Sequence, residues 1–343
     1  MVATDVLNAD ILFLYDAKLC NPNGDPDDEN KPRMDDLTRR CLVSDVRLKR
    51  YLRDYWISKA SDRSGSVDAS AGNGRVVQDV WVRKGDDGET VSASERVKSL
   101  ADQFTKETGK EVGSSKPPPE FVTWILARLI DVRLFGATMT IKAGTGESKG
   151  ASQSITGPVQ FNWGYSLHPV ELVSSSSITS LFAGRDTADK GDYGTIGKDW
   201  RLHYALIGFH GHVSRSRAMA SGLQPSDVDY LEDALLHALS EEAVSRSKLG
   251  QTPRLYLQIQ YKGAAPPLGD PRDYITVESD LPREKFRSVK DYHLNVSGLA
   301  TKLDSIKDGI AAVRWWSHPD FQVVGDETLK EEKLLGFAEV SRP

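Results

Sequence analysis

Carboxylates, amides and prolines are concentrated in one short segment of the sequence, NPNGDPDDENKPR, at residues 21–33. Its acids and amides are the oxygen ligands that divalent cations prefer. An EF-hand loop needs Gly at its sixth position and a bidentate acid at its twelfth. Counted from Asn21, Gly24 is fourth and Pro32 is twelfth, so that spacing is absent. We therefore expect these side chains to bond to nearby backbone amides and to stabilise turns.

A basic segment at residues 31–53 overlaps the end of this loop. It carries a local net charge of +5 in a chain of net charge −5. Its cations are Lys31, Arg33, Arg39, Arg40, Arg47, Lys49, Arg50 and Arg53. Cations bind phosphate oxygens, and loop amides and helix N-termini add donors. The alternative is a solvated basic face in which Asp45 pairs with Lys49 and Asp54 with Arg50.

Histidines raise a second possibility of metal binding. His203, His210 and His212 fall along one predicted strand, and residues two apart share a face. His210 and His212 therefore have the spacing to share a metal, but no clear third ligand accompanies them. We favour packing or hydrogen bonding, and we predict no metal and no cofactor.

The surrounding sequence predicts the elements that position these residues. Apolar and aromatic runs predict strands at residues 11–19, 75–84, 155–167, 199–213 and 254–262, with a further strand ending near Lys142. Apolar periodicity predicts helices at residues 37–59, 120–136 and 225–247, the last capped by Ser226, and the capping box Ser92–Glu95 predicts another. Without its insertions, the order strand, helix, strands, helix, strand suits an α+β fold, a ferredoxin-like sheet with helices on one face. The same framework serves RNA-recognition domains.

Composition excludes several classes of protein. The chain has 343 residues, 39% of them hydrophobic, and no apolar run approaches the roughly 18 residues that span a bilayer. The N-terminus lacks the basic start and apolar middle of a signal peptide. The two cysteines, Cys20 and Cys41, have no metal spacing. We therefore predict a cytoplasmic protein without a membrane partner.

Two motifs in fixed order carry a resemblance to a known family. NPNGDPDDENKPRMD at residues 21–35, followed by SDVRLKRYLRDY at residues 44–55, closely resembles the Cas-seven family, the backbone subunits of type I CRISPR Cascade complexes. The I-B branch is the most similar. Weaker similarity continues through GPVQ at residues 157–160 and TIGK at residues 195–198, and it ends near LYLQIQYK.

The resemblance implies a non-catalytic subunit whose copies assemble along a CRISPR guide RNA (crRNA) and grip its backbone. The implied partners are the guide RNA, the target DNA strand paired to it, further copies of the chain and other Cascade subunits. The implied architecture is an RRM-like palm (βαββαβ) with a finger insertion and a thumb hairpin. The implied boundaries are residues 1–60, 120–173 and 199–263 for the palm, 61–119 for the fingers, 174–198 for the thumb and 264–343 for a C-terminal elaboration of the palm.

The same resemblance implies which residues bind RNA. Asn23, Asn30 and Arg33 fall in the loop motif, and Ser44, Lys49, Arg50 and Arg53 fall in the helix motif. We add Arg47, Lys142, Phe182 and Lys198 to the predicted RNA-binding residues. In the thumb, Ile178, Leu181 and Phe182 form an apolar wedge for a nucleotide, or they pack inside the hairpin. The strand LIGFHGHV lacks a clear aromatic RNA-binding signature, so we do not expect bases to stack on it.

Two alternatives remain at this point. Type III backbone subunits cut RNA with an aspartate near this region, which makes Asp35 the candidate residue of a metal-dependent ribonuclease. The second alternative is a protein-interaction domain whose basic helix is a docking face. It predicts that no RNA is purified with the protein.

Overall fold

A computed structural model describes most of the chain. The described residues are 5–63, 79–85, 88–113, 117–141, 151–179, 196–243, 245–325, 327 and 337–339. In this part of the chain, none of the helices combines the length and the apolarity needed to cross a lipid bilayer.

The strands are short except for four long ones at the centre of the fold. In chain order they are β1 (Ala9–Lys18), β2 (Gly24–Asp25), β3 (Lys31–Pro32), β4 (Met34–Asp35), β5 (Arg40–Val43), β6 (Gly136–Ile141), β7 (Ala151–Thr156), β8 (Val159–Phe161), β9 (Gly164–Ser166), β10 (Ser177–Thr179), β11 (Ile196–Lys198), β12 (Tyr204–Val213), β13 (Gln251–Tyr261), β14 (Thr276–Glu278), β15 (His293–Asn295), β16 (Ile310–Ser317), β17 (Val323–Val324) and β18 (Phe337–Glu339). The helices are α1 (Asp45–Arg63), α2 (Ala93–Thr108), α3 (Pro119–Arg128), α4 (Ile130–Phe135), α5 (Arg215–Ser221), α6 (Pro225–Glu241) and α7 (Ser297–Ser305). Short 3₁₀ turns occupy Pro271–Tyr274, Arg283–Lys285, Val289–Asp291 and Lys307–Gly309.

The main sheet is central and chiefly antiparallel. Its strand order is β18-β16-β13-β1-β12-β9-β5-β4, and β8 also pairs with β12. The pairs β13–β16, β9–β12, β5–β9 and β4–β5 are antiparallel, and β16–β18 is parallel. Since the chain contains helices as well as a chiefly antiparallel sheet, the predicted α+β class is confirmed.

The chain divides into two compact units, each built from three segments. The first unit is Met1–Ala9, Lys49–Gln160 and Gly211–Ala238, and the second is Asp10–Leu48, Phe161–His210 and Leu239–Pro343. In the first unit, α2, α3, α4 and β6 contribute to one apolar cluster that includes Phe104, Phe121 and Trp124. Packing in that cluster is therefore continuous across the predicted boundary between residues 119 and 120.

The second unit buries one face of the main sheet beneath its C-terminal residues. Alternate residues point to one face of a strand, and the core cluster takes such residues from four strands: Leu12 and Leu14, Tyr204 and Leu206, Leu255, Leu257 and Ile259, and Val313 and Trp315. From the C-terminal region the cluster takes Ile275, Val277, Phe286, Leu294, Leu299, Leu303 and Phe321. The region after β13 thus adds strands β16 and β18 to the sheet and covers this sheet face.

Several predicted elements are confirmed, and the start of the first helix is wrong. The Ser92–Glu95 capping box is present, with Glu95 N–H donating to Ser92 Oγ at 3.2 Å. The helix predicted from residue 37 begins at Asp45, because residues 34–43 form the β4–β5 hairpin instead. Leu37, which fits the apolar face of a helix, lies in the turn of that hairpin and is 92% exposed.

Three other predicted elements differ in detail. The apolar run at residues 120–136 is two helices, because Leu129 is extended and forms a bridge with Asp79. The strand expected over residues 155–167 is broken into the end of β7, β8 and β9, and the described part of residues 75–84 has only isolated bridges. Ser226 is not the cap of α6, since the helix already begins at Pro225 and the Asp227 carboxylate accepts the N–H of Gln224 at 2.9 Å.

A buried histidine in the second unit gives folding a pH dependence. His168 accepts the Leu206 N–H at Nε2 (3.1 Å), and its Nδ1 lies 2.8 Å from the Pro169 carbonyl oxygen. The imidazole is therefore neutral, with its proton on Nδ1. Burial, which disfavours the charged form, lowers the pKa of His168 from 6.5 to about 4.

We expect this histidine to destabilise the fold in mild acid. At a pH above the pKa that His168 has in the unfolded chain, the side chain is neutral in both the folded and the unfolded state. As the pH falls towards 4, only the unfolded chain takes up the proton. The contribution to the free energy of unfolding should thus fall by about 2 kcal/mol between pH 7 and pH 5. Urea unfolding at both pH values, on the native chain and on His168→Gln, measures it. An equal pH dependence in the two proteins would contradict this assignment.

Candidate nucleic-acid interface

The acidic loop of the sequence is a small hairpin in the second unit. Strands β2 and β3 pair Gly24 with Pro32 and Asp25 with Lys31. The connecting turn is closed by hydrogen bonds to Asp25, whose carbonyl accepts the Asn30 N–H at 2.8 Å and whose carboxylate accepts the Asp27 N–H at 3.2 Å. Asn21 Nδ2 donates to the Asn30 carbonyl at 2.7 Å. The predicted use of these acids and amides as turn formers is confirmed.

Asn23 and Ser44 join this hairpin to the start of α1. Asn23 Oδ1 accepts the Ser44 N–H at 2.9 Å and the Ser44 hydroxyl at 3.0 Å. Ser44 Oγ in turn accepts the Arg47 N–H at 3.3 Å, which is the bond of an N-cap. The loop motif and the helix motif are therefore one hydrogen-bonded structure in which Asn23 orients the cap.

Asp35 also has a structural use. Its carboxylate accepts the Leu37 N–H at 3.2 Å and the Thr38 hydroxyl, which closes the β4–β5 turn. The hydrogen bond from Thr38 is the main cause that lowers the pKa of Asp35 below its ordinary value. Among the residues that the structure describes, no three His, Cys, Asp or Glu side chains come together as metal ligands. The geometry thus gives no support to a metal site at Asp35.

Within the described part of the chain, His203, His210 and His212 belong to no group of three or more potential metal ligands. His210 Nε2 lies 3.4 Å from Asp10 Oδ1, and Tyr261 donates to the other oxygen of the same carboxylate at 2.7 Å. This arrangement is a hydrogen-bonded network beside the sheet.

Two arginines of α1 have very different environments. Arg50 forms a two-contact ion pair with Asp54, at 2.8 Å from Nε and 2.7 Å from Nη2, and 36% of its side chain is exposed. Arg53 instead lies in the interior of the first unit and donates from Nε to Asp131 at 2.7 Å. Asp131 is fully buried and also accepts the backbone N–H groups of Trp81 (2.7 Å) and Val82 (3.3 Å). Arg53 is therefore the partner of a buried carboxylate, and removing either group would leave the other charge buried and unpaired.

Besides the buried Arg272, four cations in the described part of the second unit lie over aromatic rings. Measured to the ring centroid, Lys31 Nζ is 5.0 Å and Lys198 Nζ 5.7 Å from Trp200, Arg33 Cζ is 5.9 Å from Trp163, and Arg40 Cζ is 5.1 Å from Tyr165. We call these seven residues the basic–aromatic surface. Cation–π contacts do not neutralise the cations. Two of the four are also paired with carboxylates, Lys31 with Asp28 at 2.7 Å and Arg33 with Asp25 at 3.2 Å, and both pairs are partly exposed. Such pairs are weak, so an anion can compete for these cations.

Comparison with known proteins identifies the family. The sequence profile of the family described as CRISPR-associated protein Cas7 matches residues 7–297. That match covers well over half of the chain. The chain belongs to the Cas7 family. A curated relative from Haloferax volcanii, named CRISPR-associated protein Cas7, is 28% identical over 350 residues, which cover 96% of this chain and 93% of the relative.

Two solved structures are similar to this Cas7-family chain at low identity. One is titled CRISPR RNA-guided surveillance complex; it is 13% identical with a TM-score of 0.49, and the match covers 98% of this chain and 95% of the other. The second is titled CRISPR RNA-guided surveillance complex, pre-nicking; it is 14% identical with a TM-score of 0.47, and the match covers 94% and 97% of the two chains.

The residues predicted to bind RNA fall into three groups in this Cas7-family chain. Arg33 and Lys198 belong to the basic–aromatic surface, and Asn30 forms the turn beside it. Internal hydrogen bonds hold Asn23, Ser44 and Arg53. The remaining described residues lie on α1: Arg50, which is paired with Asp54, and Arg47 and Lys49. Lys142 and Phe182 lie outside the described residues. Direct RNA contact by any of them stays a prediction.

Sequence reasoning missed Trp163, Tyr165 and Trp200. The alternation in FNWGYS was a usable signal, because Trp163 and Tyr165 stand two apart beside a glycine. On its own, this alternation predicts only a strand. For Trp200, Lys198 two residues before it is a local partner, but Lys31 is 169 residues away and no local pattern points to it.

Proposed function

We propose that this Cas7-family protein binds a CRISPR guide RNA and assembles in several copies along it. It forms the backbone of a type I Cascade complex that recognises foreign DNA through base pairing to the guide. The protein holds the RNA backbone, and the pairing carries the sequence specificity. Its partners are the guide, the paired target strand, further copies of the chain and other Cascade subunits. A cytoplasmic location and the I-B branch remain predictions.

The basic–aromatic surface is the observation that carries this proposal. Positive charge with interleaved aromatic rings is the combination by which proteins hold single-stranded nucleic acid with little sequence preference. Arg33 is paired with Asp25 at 3.2 Å, and both side chains are more than a quarter exposed. Partly exposed pairs of this kind contribute only about 0–1 kcal/mol, so a phosphate can replace the carboxylate at little cost.

The strand order supports an RRM-like palm. The chain order β1, α1, β8–β9, β12, α6, β13 matches βαββαβ, and the central sheet order β13-β1-β12-β9 places the fourth, first, third and second strands side by side. We propose residues 1–60, 120–173 and 199–263 as the palm and residues 61–119 as the fingers. The antiparallel pair β10–β11 would be the base of a thumb at residues 174–198, and residues 264–343 elaborate the palm.

The test is purification of the protein from cells that express a guide RNA. We expect an absorbance ratio at 260 and 280 nm well above that of protein alone. Sequencing should recover a uniform population of guide RNAs. Protein that is monomeric and free of RNA, from cells shown to contain the guide, would favour the docking-domain alternative and overturn the proposal.

The same complex tests the ribonuclease alternative. Matching RNA incubated with Mg²⁺ should stay intact, because Asp35 is used in a turn. Regularly spaced, metal-dependent cuts that Asp35→Ala abolishes would assign catalysis to this chain and contradict the predicted absence of enzymatic activity.

A further inference from the structure

Among the described residues, one aromatic side chain beside the sheet of the second unit is exposed to solvent. Tyr204 and Leu206, on β12, are covered by the C-terminal residues and cannot stack a base. Trp163, immediately before β9, is 43% exposed. Its neighbour Tyr165 pairs with Gly208 of β12 and with Leu42 of β5, so it lies at the margin of this covered face. Trp163 is thus an exposed aromatic side chain next to β9.

The backbone that presents Trp163 is held on both sides. The Trp163 N–H donates to Asn162 Oδ1 at 2.9 Å, and its carbonyl accepts Arg272 Nη1 at 2.9 Å. The next residue, Gly164, packs so closely on Phe209 that an added Cβ would lie 2.5 Å from the ring. An exposed indole on a fixed backbone loses little conformational entropy when a ligand stacks on it.

Two cations near the Trp163–Tyr165 segment suit a polyanion. Arg33 lies 5.9 Å from the Trp163 ring centroid, and Arg40 lies 5.1 Å from the neighbouring Tyr165. Tyr165 is supported by Arg272, whose guanidinium is 4.0 Å from the ring and is buried against Asp270. Arg272 is thus structural, while Arg33 and Arg40 are each only partly buried.

We propose that Trp163 stacks one unpaired base of the guide RNA, and that Arg33 binds the adjoining phosphate. This rests on the proposed function and adds a nucleotide-binding position to it. The contact accepts any base, because every base has a π face and no hydrogen-bond donor or acceptor of a base is needed.

The test compares Trp163→Ala and Trp163→Phe with the native chain. Each protein is titrated with a fluorescein-labelled single-stranded RNA of mixed sequence at several salt concentrations. We expect Trp163→Ala to weaken binding about tenfold to a hundredfold and Trp163→Phe to retain most of it, because one stacked base is lost or kept. The slope of log K against log salt should not change, since no phosphate contact is removed.

An abasic oligoribonucleotide of the same length isolates the stacking contribution. On this probe the native chain and Trp163→Ala should bind equally. Leu281→Ala is the matched control, because Leu281 is a similarly exposed apolar residue of the same unit (48%). It should bind like the native chain on both probes.

Three outcomes would overturn the stacking assignment. In the first, the native chain binds RNA and Trp163→Ala binds it equally well. In the second, Trp163→Ala loses as much affinity for the abasic probe as for the intact RNA. In the third, Trp163→Ala keeps its RNA affinity but no longer self-assembles. The last outcome would make Trp163 a contact between copies. A native chain that binds no RNA would overturn the proposed function as well, so the two failures are distinguishable.

Discussion

Asp131→Ala is expected to cost about 3–5 kcal/mol in the free energy of unfolding, because it leaves an uncompensated charge in the interior. The substitution removes the carboxylate that pairs with Arg53 at 2.7 Å. It also strips the backbone N–H groups of Trp81 and Val82 of their acceptor. Urea unfolding followed by circular dichroism measures the loss. Asp131→Asn, which keeps an acceptor oxygen but no charge, should fall between the native chain and Asp131→Ala.

Asp54→Ala is the matched control for this experiment. Asp54 also pairs with an arginine of α1, but the Arg50–Asp54 pair is partly exposed, with 36% and 26% of the two side chains accessible. Partly exposed pairs are screened by water, so we expect a loss of about 0–1 kcal/mol. Equal losses in Asp54→Ala and Asp131→Ala would show that the buried carboxylate has no special role.

Replacing the four cations of the basic–aromatic surface with Ala should abolish most guide-RNA binding. For single strands each phosphate contact contributes about 0.7 to the slope of log K against log salt, so the slope should fall by about 3 units. Near physiological salt this corresponds to a loss on the order of a hundredfold in affinity. The variant carries Lys31→Ala, Arg33→Ala, Arg40→Ala and Lys198→Ala. Fluorescence anisotropy at several salt concentrations measures both quantities.

A control of equal charge separates local contacts from the overall field of the protein. It replaces Lys98, Lys106, Lys290 and Lys302, which lie outside the surface, so both variants have a formal net charge of −9. If only the overall charge of the protein mattered, the two variants would lose RNA affinity equally. We expect the control to keep the native slope within about one unit, and an equal fall in both variants would contradict the assignment of the surface.

Sequence reasoning succeeded where a local pattern decides the structure. The strongly apolar strands β1, β12 and β13 could be predicted because each is a run of apolar and aromatic residues. The Ser92 capping box could be predicted because both of its hydrogen bonds join residues three apart. The family motifs likewise located the loop and the helix that follows it.

It failed where tertiary pairing overrides local preference. Residues 37–43 have a helix-like apolar period, yet β5 pairs with β9, more than 100 residues away, so this segment is extended. In the helix motif, the spacing of Arg47, Arg50 and Arg53 predicts a basic face. Arg53 instead pairs with Asp131, 78 residues away, and is not part of that face. Apart from Lys198, which is two residues before Trp200, the cations of the basic–aromatic surface are likewise brought to their rings by the fold. A single sequence does not encode such remote pairs in any local pattern.

The C-terminal cover of the sheet has a consequence for synthesis. Strand β1 emerges from the ribosome first, but its neighbours β12 and β13 follow about 200 residues later, and the residues that cover their shared face follow β13. Contacts of such long sequence separation form slowly, and the uncovered apolar face is prone to aggregation in the meantime. A chain that stops soon after β13 would leave this apolar face uncovered, and we expect it to aggregate more readily than the full chain.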